Sequence, residues 1–209
     1  HCEGVGDPLN FTGRSERVAP ILDRLTTTLQ TGYLPDRLRV SGQVVADRLA
    51  APVRLSFMGL QGAGKTTLIQ ALLGQEVPGL APMAGGDAPT FALAHGPQTR
   101  GFVTFEDGMR HELLGSDLSD VFERGAVYAD IHMPCERLRD IRVLELVTDG
   151  SQRELNVAAP WAAEQSEIPI WCSQHFTKAE AAIWAQVSDR FKDHAILVLT
   201  QADLLPPDE

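Results

Sequence analysis

The residues with the most specific chemistry form one octapeptide, Gly59-Leu60-Gln61-Gly62-Ala63-Gly64-Lys65-Thr66, which fits the spacing G-x-x-x-x-G-K-[ST]. Glycines at this spacing let backbone N–H groups close around phosphate oxygens, and a following helix presents the positive end of its dipole to them. Lys65 is placed to reach the β- and γ-phosphates of a nucleotide, and the Thr66 hydroxyl to sit on Mg2+. Such a cradle needs a strand before it and a helix after it. Residues 54–58 alternate towards a buried strand, and residues 67–73 read as a helix stopped by Gly74. Phosphate contacts are therefore expected from Gly59, Gln61, Gly62, Ala63, Gly64, Lys65, Thr66 and Thr67.

The elements that must position this loop alternate in type along the chain. Residues up to Gly13 read as a loop. A helix is expected from Pro20, with Ile21, Leu22, Leu25 and Leu29 on one face until Gly32. A second helix is expected over Asp36–Ala50, although Gly42 weakens it. Beyond a loop at 79–90, rich in proline and glycine, strands are predicted at 91–94, 101–105, 127–133, 141–147, 168–172 and 195–199. The strand at 141–147 reads as central. A short helix is expected over 117–124. Thr177-Lys178-Ala179-Glu180 is a capping box opening one helix to residue 191, with Ile183, Trp184, Val187 and Phe191 on its buried face. Strands alternating with helices predict a three-layer α/β fold around a mostly parallel sheet, with ligands at the strand C-termini. Both the glycine-rich loop and Thr200-Gln201-Ala202-Asp203 lie at such ends.

Composition narrows the function. The 209 residues include 28 acidic and 18 basic side chains, a net charge of −10, so no nucleic-acid partner is expected. No apolar run approaches the roughly 20 residues that span a bilayer, and there is no signal-peptide pattern, so a cytoplasmic address is expected. Cys2, Cys135 and Cys172 are widely spaced, and His95, His111, His132, His175 and His194 are scattered, which argues against a disulfide framework or a zinc site. The chain opens on His1 rather than Met, as a fragment of a longer protein does.

The run from Met58 to Gly74 resembles the start of the GTPase domain in dynamin-like proteins, especially the bacterial ones. The likeness continues through Ala88-Pro89-Thr90, similar to the first switch, and closes at residues 198–205, similar to the base-recognition segment. It covers roughly residues 20–205. It implies GTP and GDP as ligands together with Mg2+. Within it Gln61 would orient the attacking water, and Thr66 and Thr90 would hold the metal. Thr200, Gln201 and Asp203 would contact the base, with Asp203 accepting from guanine N1 and its exocyclic amine. It also implies a division into residues 1–52, a helical segment of a bundle, and residues 53–209, a GTPase domain lacking the family's last strand and helix. Homodimerisation across the nucleotide and membrane remodelling follow from the same likeness. Membrane contact would come from regions not in this chain, at the inner face of the membrane.

Three positions depart from the family. The Asp-x-x-Gly of the second switch falls on Val147-Thr148-Asp149-Gly150, leaving Val147 where the metal-linked aspartate usually stands. Gln201 replaces the usual base-site lysine, and Gly62 stands where many dynamins have serine. Two alternatives therefore remain open: a nucleotide-binding switch or scaffold without hydrolysis, and an ATP-using P-loop enzyme, against which the Thr200–Asp203 segment argues.

Overall fold

The computed structural model describes residues 13–77, 89–114, 126–148 and 151–204. The expected helix at 117–124, most of the 79–90 loop, and Ala88, Asp149, Gly150 and Leu205 lie outside them. The chain divides into two compact units, His1–Ala51 and Pro52–Glu209.

The first unit pairs two helices, α1 (Gly13–Gln30) and α2 (Asp36–Ala50). The turn between them uses Gly32 at φ 69°. Pro20 lies inside α1 rather than at its start, so the helix begins seven residues before the expected boundary and forgoes one backbone hydrogen bond there. Gly42, which weakened the second helix in sequence, has a packing reason: a Cβ there would come within 2.5 Å of Leu29 Cδ2. Leu29 and Ala46 are buried, while Ile21, Leu38, Val44 and Val45 stay exposed.

The second unit is built on β1 (Val53–Met58), α3 (Lys65–Leu73), β2 (Thr90–His95), β3 (Arg100–Phe105), β4 (Arg110–Leu114), β5 (Ala126–Met133), β6 (Ile141–Glu145), α4 (Gln152–Glu164), β7 (Ile168–Ser173), α5 (Lys178–Trp184), α6 (Asp189–Lys192) and β8 (Ile196–Leu199). Among the described residues the strands form one eight-stranded sheet in the order β4-β3-β5-β2-β6-β1-β7-β8. Pairing is parallel for β1 with β6 and β7, β7 with β8, and β2 with β5; it is antiparallel for β2 with β6 and around β3. The fold is α/β and mostly parallel, as the alternation of elements predicts. Successive side chains point to opposite faces of a strand, which separates two cores. Leu55, Phe57, Phe91, Leu93, Val143 and Ile170 pack with Ile69 and Leu73 of α3 on one face. Met58, Ala92, Leu144 and Trp171 pack with Leu155 and Ala159 of α4 and with Ile183, Val187 and Phe191 on the other.

β5 pairs between β2 and β3. Several boundaries differ from those expected. β6 ends at Glu145, two residues before the expected boundary. The predicted helix through residue 191 is broken into α5 and α6, with Ser188 as the new N-cap; the apolar face runs across the break. Helix α4 has no counterpart in the sequence reading. Its Ser151 side chain accepts from Glu154 N–H, and Pro160 in its interior obscures the signal.

Candidate nucleotide-binding site

The loop 59–64 leaves the C-terminal end of β1, the central strand between β6 and β7, and enters α3. Gly62 and Gly64 adopt φ 77° and 75°, left-handed values that side chains resist. Ala63 N–H donates to Leu60 O and Leu68 N–H to Gly64 O, so the turn closes directly onto the helix. The first-turn N–H groups of a helix lack intrahelical partners, which favours an anion at such an end.

Lys65 is buried at this junction, and its Nζ donates to Gly59 O at 3.2 Å and Leu60 O at 3.0 Å. These carbonyls occupy donors that phosphate oxygens compete for with a full charge. Burial pushes the Lys65 pKa down, while the charge of Glu145 and the Cys172 thiol oppose that fall. Thr66 Oγ1 donates to Glu145 Oε1 at 2.8 Å. Glu145 is 3% exposed, and among the described residues its Oε2 has no hydrogen-bond partner. Burial raises the Glu145 pKa, against the pull of Lys65 and the Thr66 hydroxyl.

No motif points to Glu145. It is the one charged residue among the apolar positions 143–147 of the expected central strand, and a lone carboxylate inside an apolar strand is the signal that marks it in sequence.

Thr90 opens β2 beside the end of β6, where its hydroxyl accepts from Val147 N–H and lies 3.1 Å from Val147 O. It reaches the strand end beside β6, where its one O–H donor and one of its two lone pairs are engaged with Val147. Gln61 is exposed at the rim of the loop. Beside it a cavity of about 120 Å³ lies among Leu60, Gln61, Ala63, Ser173, Gln174, His175, Thr177 and Glu180. It is too small for a nucleotide, whose sites run to ~300 Å³ and more.

Thr200 ties the segment after β8 to the glycine-rich loop. Its Oγ1 lies 2.9 Å from Ala63 O and 3.2 Å from Ser173 O, and a Cβ on Gly64 would touch its side chain at 3.4 Å. Gln201 follows at φ 53°, an uncommon value for a side-chain-bearing residue, and Asp203 stands exposed in a short 3-10 turn. Thr67, at the start of α3, is exposed. The structure thus brings together Gly59 to Thr66, Glu145 and Thr200, with Thr90 and Asp203 at the margins of the same end of the sheet.

The loop after β7 adds a contact that the sequence did not announce, Gln174 Nε2 donating to Gly62 O at 3.4 Å. Its anchor is the capping box of α5. Glu180 accepts from Thr177 N–H at 2.8 Å and Thr177 Oγ1 at 2.9 Å, and from Trp171 Nε1 at 3.2 Å. Burial pushes the Glu180 carboxyl up, but these donors and the Ser173 hydroxyl outweigh it and hold the pKa below the ordinary range. A depressed carboxyl stabilises the fold above its unfolded value, near 4.3, and that contribution fades as the pH falls through the folded value. Thr177→Ala should cost about 1–2 kcal/mol at pH 7 and flatten the acid limb of stability between the two values. Urea unfolding at pH 7 and pH 3.5 checks both effects.

Among the described residues no group of three or more His, Cys, Asp or Glu could cage a metal, and no helix is long and apolar enough to cross a membrane. A hard cation that keeps its waters and bridges phosphates needs only one or two oxygen ligands from the protein. The Thr66 hydroxyl and the orphaned Glu145 oxygen fit that demand.

No protein-family model matches the chain. The isoniazid-induced protein IniC of Mycobacterium tuberculosis is 28% identical over 167 residues, 70% of this chain and 33% of that protein. The GTPase Der of a Bradyrhizobium strain is 29% identical over 149 residues, 69% of this chain and 29% of that protein. The chain spans about a third of the length of the curated relatives it matches. An oligomerised bacterial dynamin pair, described as a mechanism for long-range sensing and tethering of membranes, superposes over 99% of this chain and 42% of its own. The TM-score is 0.67 at 17% identity. A second structure of such a pair gives 0.57 over 98% of the chain. The fold of this chain is accordingly that seen in part of a bacterial dynamin.

Proposed function

We propose that the chain is the nucleotide-binding part of a dynamin-like GTPase that binds GTP with Mg2+ and hydrolyses it. The observation that carries this reading is the phosphate loop closing on α3 with Lys65 buried at its root and the Thr200 hydroxyl bonded to its Ala63 carbonyl. That joint links a phosphate cradle to a base-reading segment. Bound Mg2+ would neutralise charge on the β- and γ-phosphate oxygens. Lys65 and the loop N–H groups hold the phosphates, the Thr66 hydroxyl faces the metal, and Gln61 at the rim orients water for in-line attack. Thr90 takes part through the remaining lone pair of its hydroxyl. Asp203 selects guanine, and Gln201 in place of a lysine makes that selection weaker than in other dynamins.

On the same reading residues 1–52 form a bundle segment and residues 53–209 the GTPase domain. Two such domains pair across the nucleotide in a cytoplasmic protein peripheral to the membrane, and remodelling of that membrane falls to segments outside this chain. Titration with labelled GTP, GDP and ATP in Mg2+, followed by phosphate release at low and high protein concentration, tests the reading. Selective GTP binding with specific activity rising with concentration is the expected result; absence of GTP binding overturns it. Tight binding without release would favour the switch or scaffold, to which Val147 points.

A further inference from the structure

We propose that Glu145 is the carboxylate of this chain's divalent-metal site, doing from β6 the work that position 147 cannot do as a valine. The inference rests on the nucleotide reading above and names a residue that the phosphate-loop pattern does not contain. In a strand, residues two apart share a face, so Glu145 lies on the α3 face with Ile141 and Val143. It meets the helix at the residue where a metal is expected: Thr66 Oγ1 donates to Oε1 at 2.8 Å. That bond turns the lone pairs of the Thr66 oxygen away from the carboxylate, so the hydroxyl keeps its acceptor side for a cation.

The other oxygen supplies the second, independent observation. Oε2 is buried and has no hydrogen-bond partner among the described residues. A buried carboxylate oxygen without a donor is costly, and a hard cation or one of its bound waters removes that cost. Mg2+ sites are commonly completed by one carboxylate, a hydroxyl and phosphate oxygens. Those are the groups that Glu145, Thr66 and the cradle would bring together. The competing account is structural, with Glu145 merely balancing the buried Lys65 charge. The two accounts differ in one quantity. A charge partner affects nucleotide binding equally with and without metal, whereas a metal ligand sets the thermodynamic coupling between them.

The test is equilibrium titration of the protein with a fluorescent GTP analogue in excess Mg2+ and in EDTA, with no turnover measured. Mn2+ binding by electron paramagnetic resonance, with and without the analogue, is the reciprocal readout. The wild-type affinity ratio should be of order tenfold or more, within the usual range of coupled sites. Glu145→Gln should bring the ratio below about threefold, with an equal loss in nucleotide-dependent Mn2+ binding. Glu145→Asp keeps the charge beside Lys65 but withdraws it by one methylene, and should show the same fall if Glu145→Gln does not fold. A ratio as large as the wild type's in either folded variant overturns the assignment and leaves the nucleotide reading standing. Wild-type protein that binds no analogue in either condition overturns both.

Discussion

Lys65→Ala should lower GTP affinity by roughly 100-fold or more. A hydrogen bond from a charged donor contributes about 1.5–3 kcal/mol, and each 1.4 kcal/mol is tenfold. Loss of two such bonds to phosphate oxygens therefore spans about two to four decades. The large effect follows from burial. The ammonium sits in the root of the loop, hydrogen-bonded to the Gly59 and Leu60 carbonyls, and burial disfavours its charge more than Glu145 restores it. An incoming phosphate adds counter-charge at the Nζ itself. Titration with labelled nucleotide checks the prediction, and an affinity within threefold of wild type would mean that the phosphates do not sit on this loop. The same substitution has a pH signature. Burial raises the Glu145 pKa and Lys65 opposes the rise. Removing Lys65 lifts it further. A carboxyl raised in the folded state favours folding below its unfolded value, near 4.3, and loses that contribution as the pH climbs through the folded value. The variant should therefore lose more stability than wild type between acidic and neutral pH.

Gly59→Ala should be the more damaging change to the fold itself. At φ 135° a side chain is strained, and its Cβ would stand 2.1 Å from Cys172 O and 3.1 Å from the Cys172 carbonyl carbon. Both are backbone atoms of β7, the strand that pairs with β1, so neither can swing aside. Strain of this backbone type costs of order 1–3 kcal/mol before the clash is counted. A total of about 3 kcal/mol corresponds to a fall of roughly 6–12 °C in Tm for a chain of this size. Gly62→Ala is the internal control. It shares a positive φ of 77° but has nothing within 4 Å of the added Cβ, so it should cost only about 1 kcal/mol. Thermal unfolding of the two variants side by side decides the matter. Equal Tm shifts would mean that the close approach of the loop to β7 is not what requires glycine at position 59.

What could be read in the chain before folding was whatever is encoded locally. The phosphate loop is eight consecutive residues, and the capping box Thr177 to Glu180 is four; their chemistry depends on spacing along the backbone, and both appear in the structure. The helix Asp36–Ala50 and the strands around the loop were legible for the same reason, since periodicity is a local property. Helix α4 was locally encoded too, by Ser151, Glu154, Leu155, Ala159 and Ala162, but Pro160 speaks against a helix in sequence. The fold retains it because the buried face of α4 packs on Leu144 and Trp171.

Local pattern therefore carried the chemistry on offer: a glycine-rich loop with a lysine and a threonine at the N-terminus of α3, in a chain of alternating strands and helices. Which groups meet that loop depended on the packing of distant segments. That packing placed β5 between β2 and β3 and β1 between β6 and β7. It thereby set Glu145 against Thr66, 79 residues away in the chain, and Thr200 against Ala63, 137 residues away. Strand order is fixed by pairing and burial across the whole sheet, so no local pattern could announce it. A carboxylate among apolar residues at 143–147 becomes a site residue only when another strand and a helix bring a hydroxyl to it.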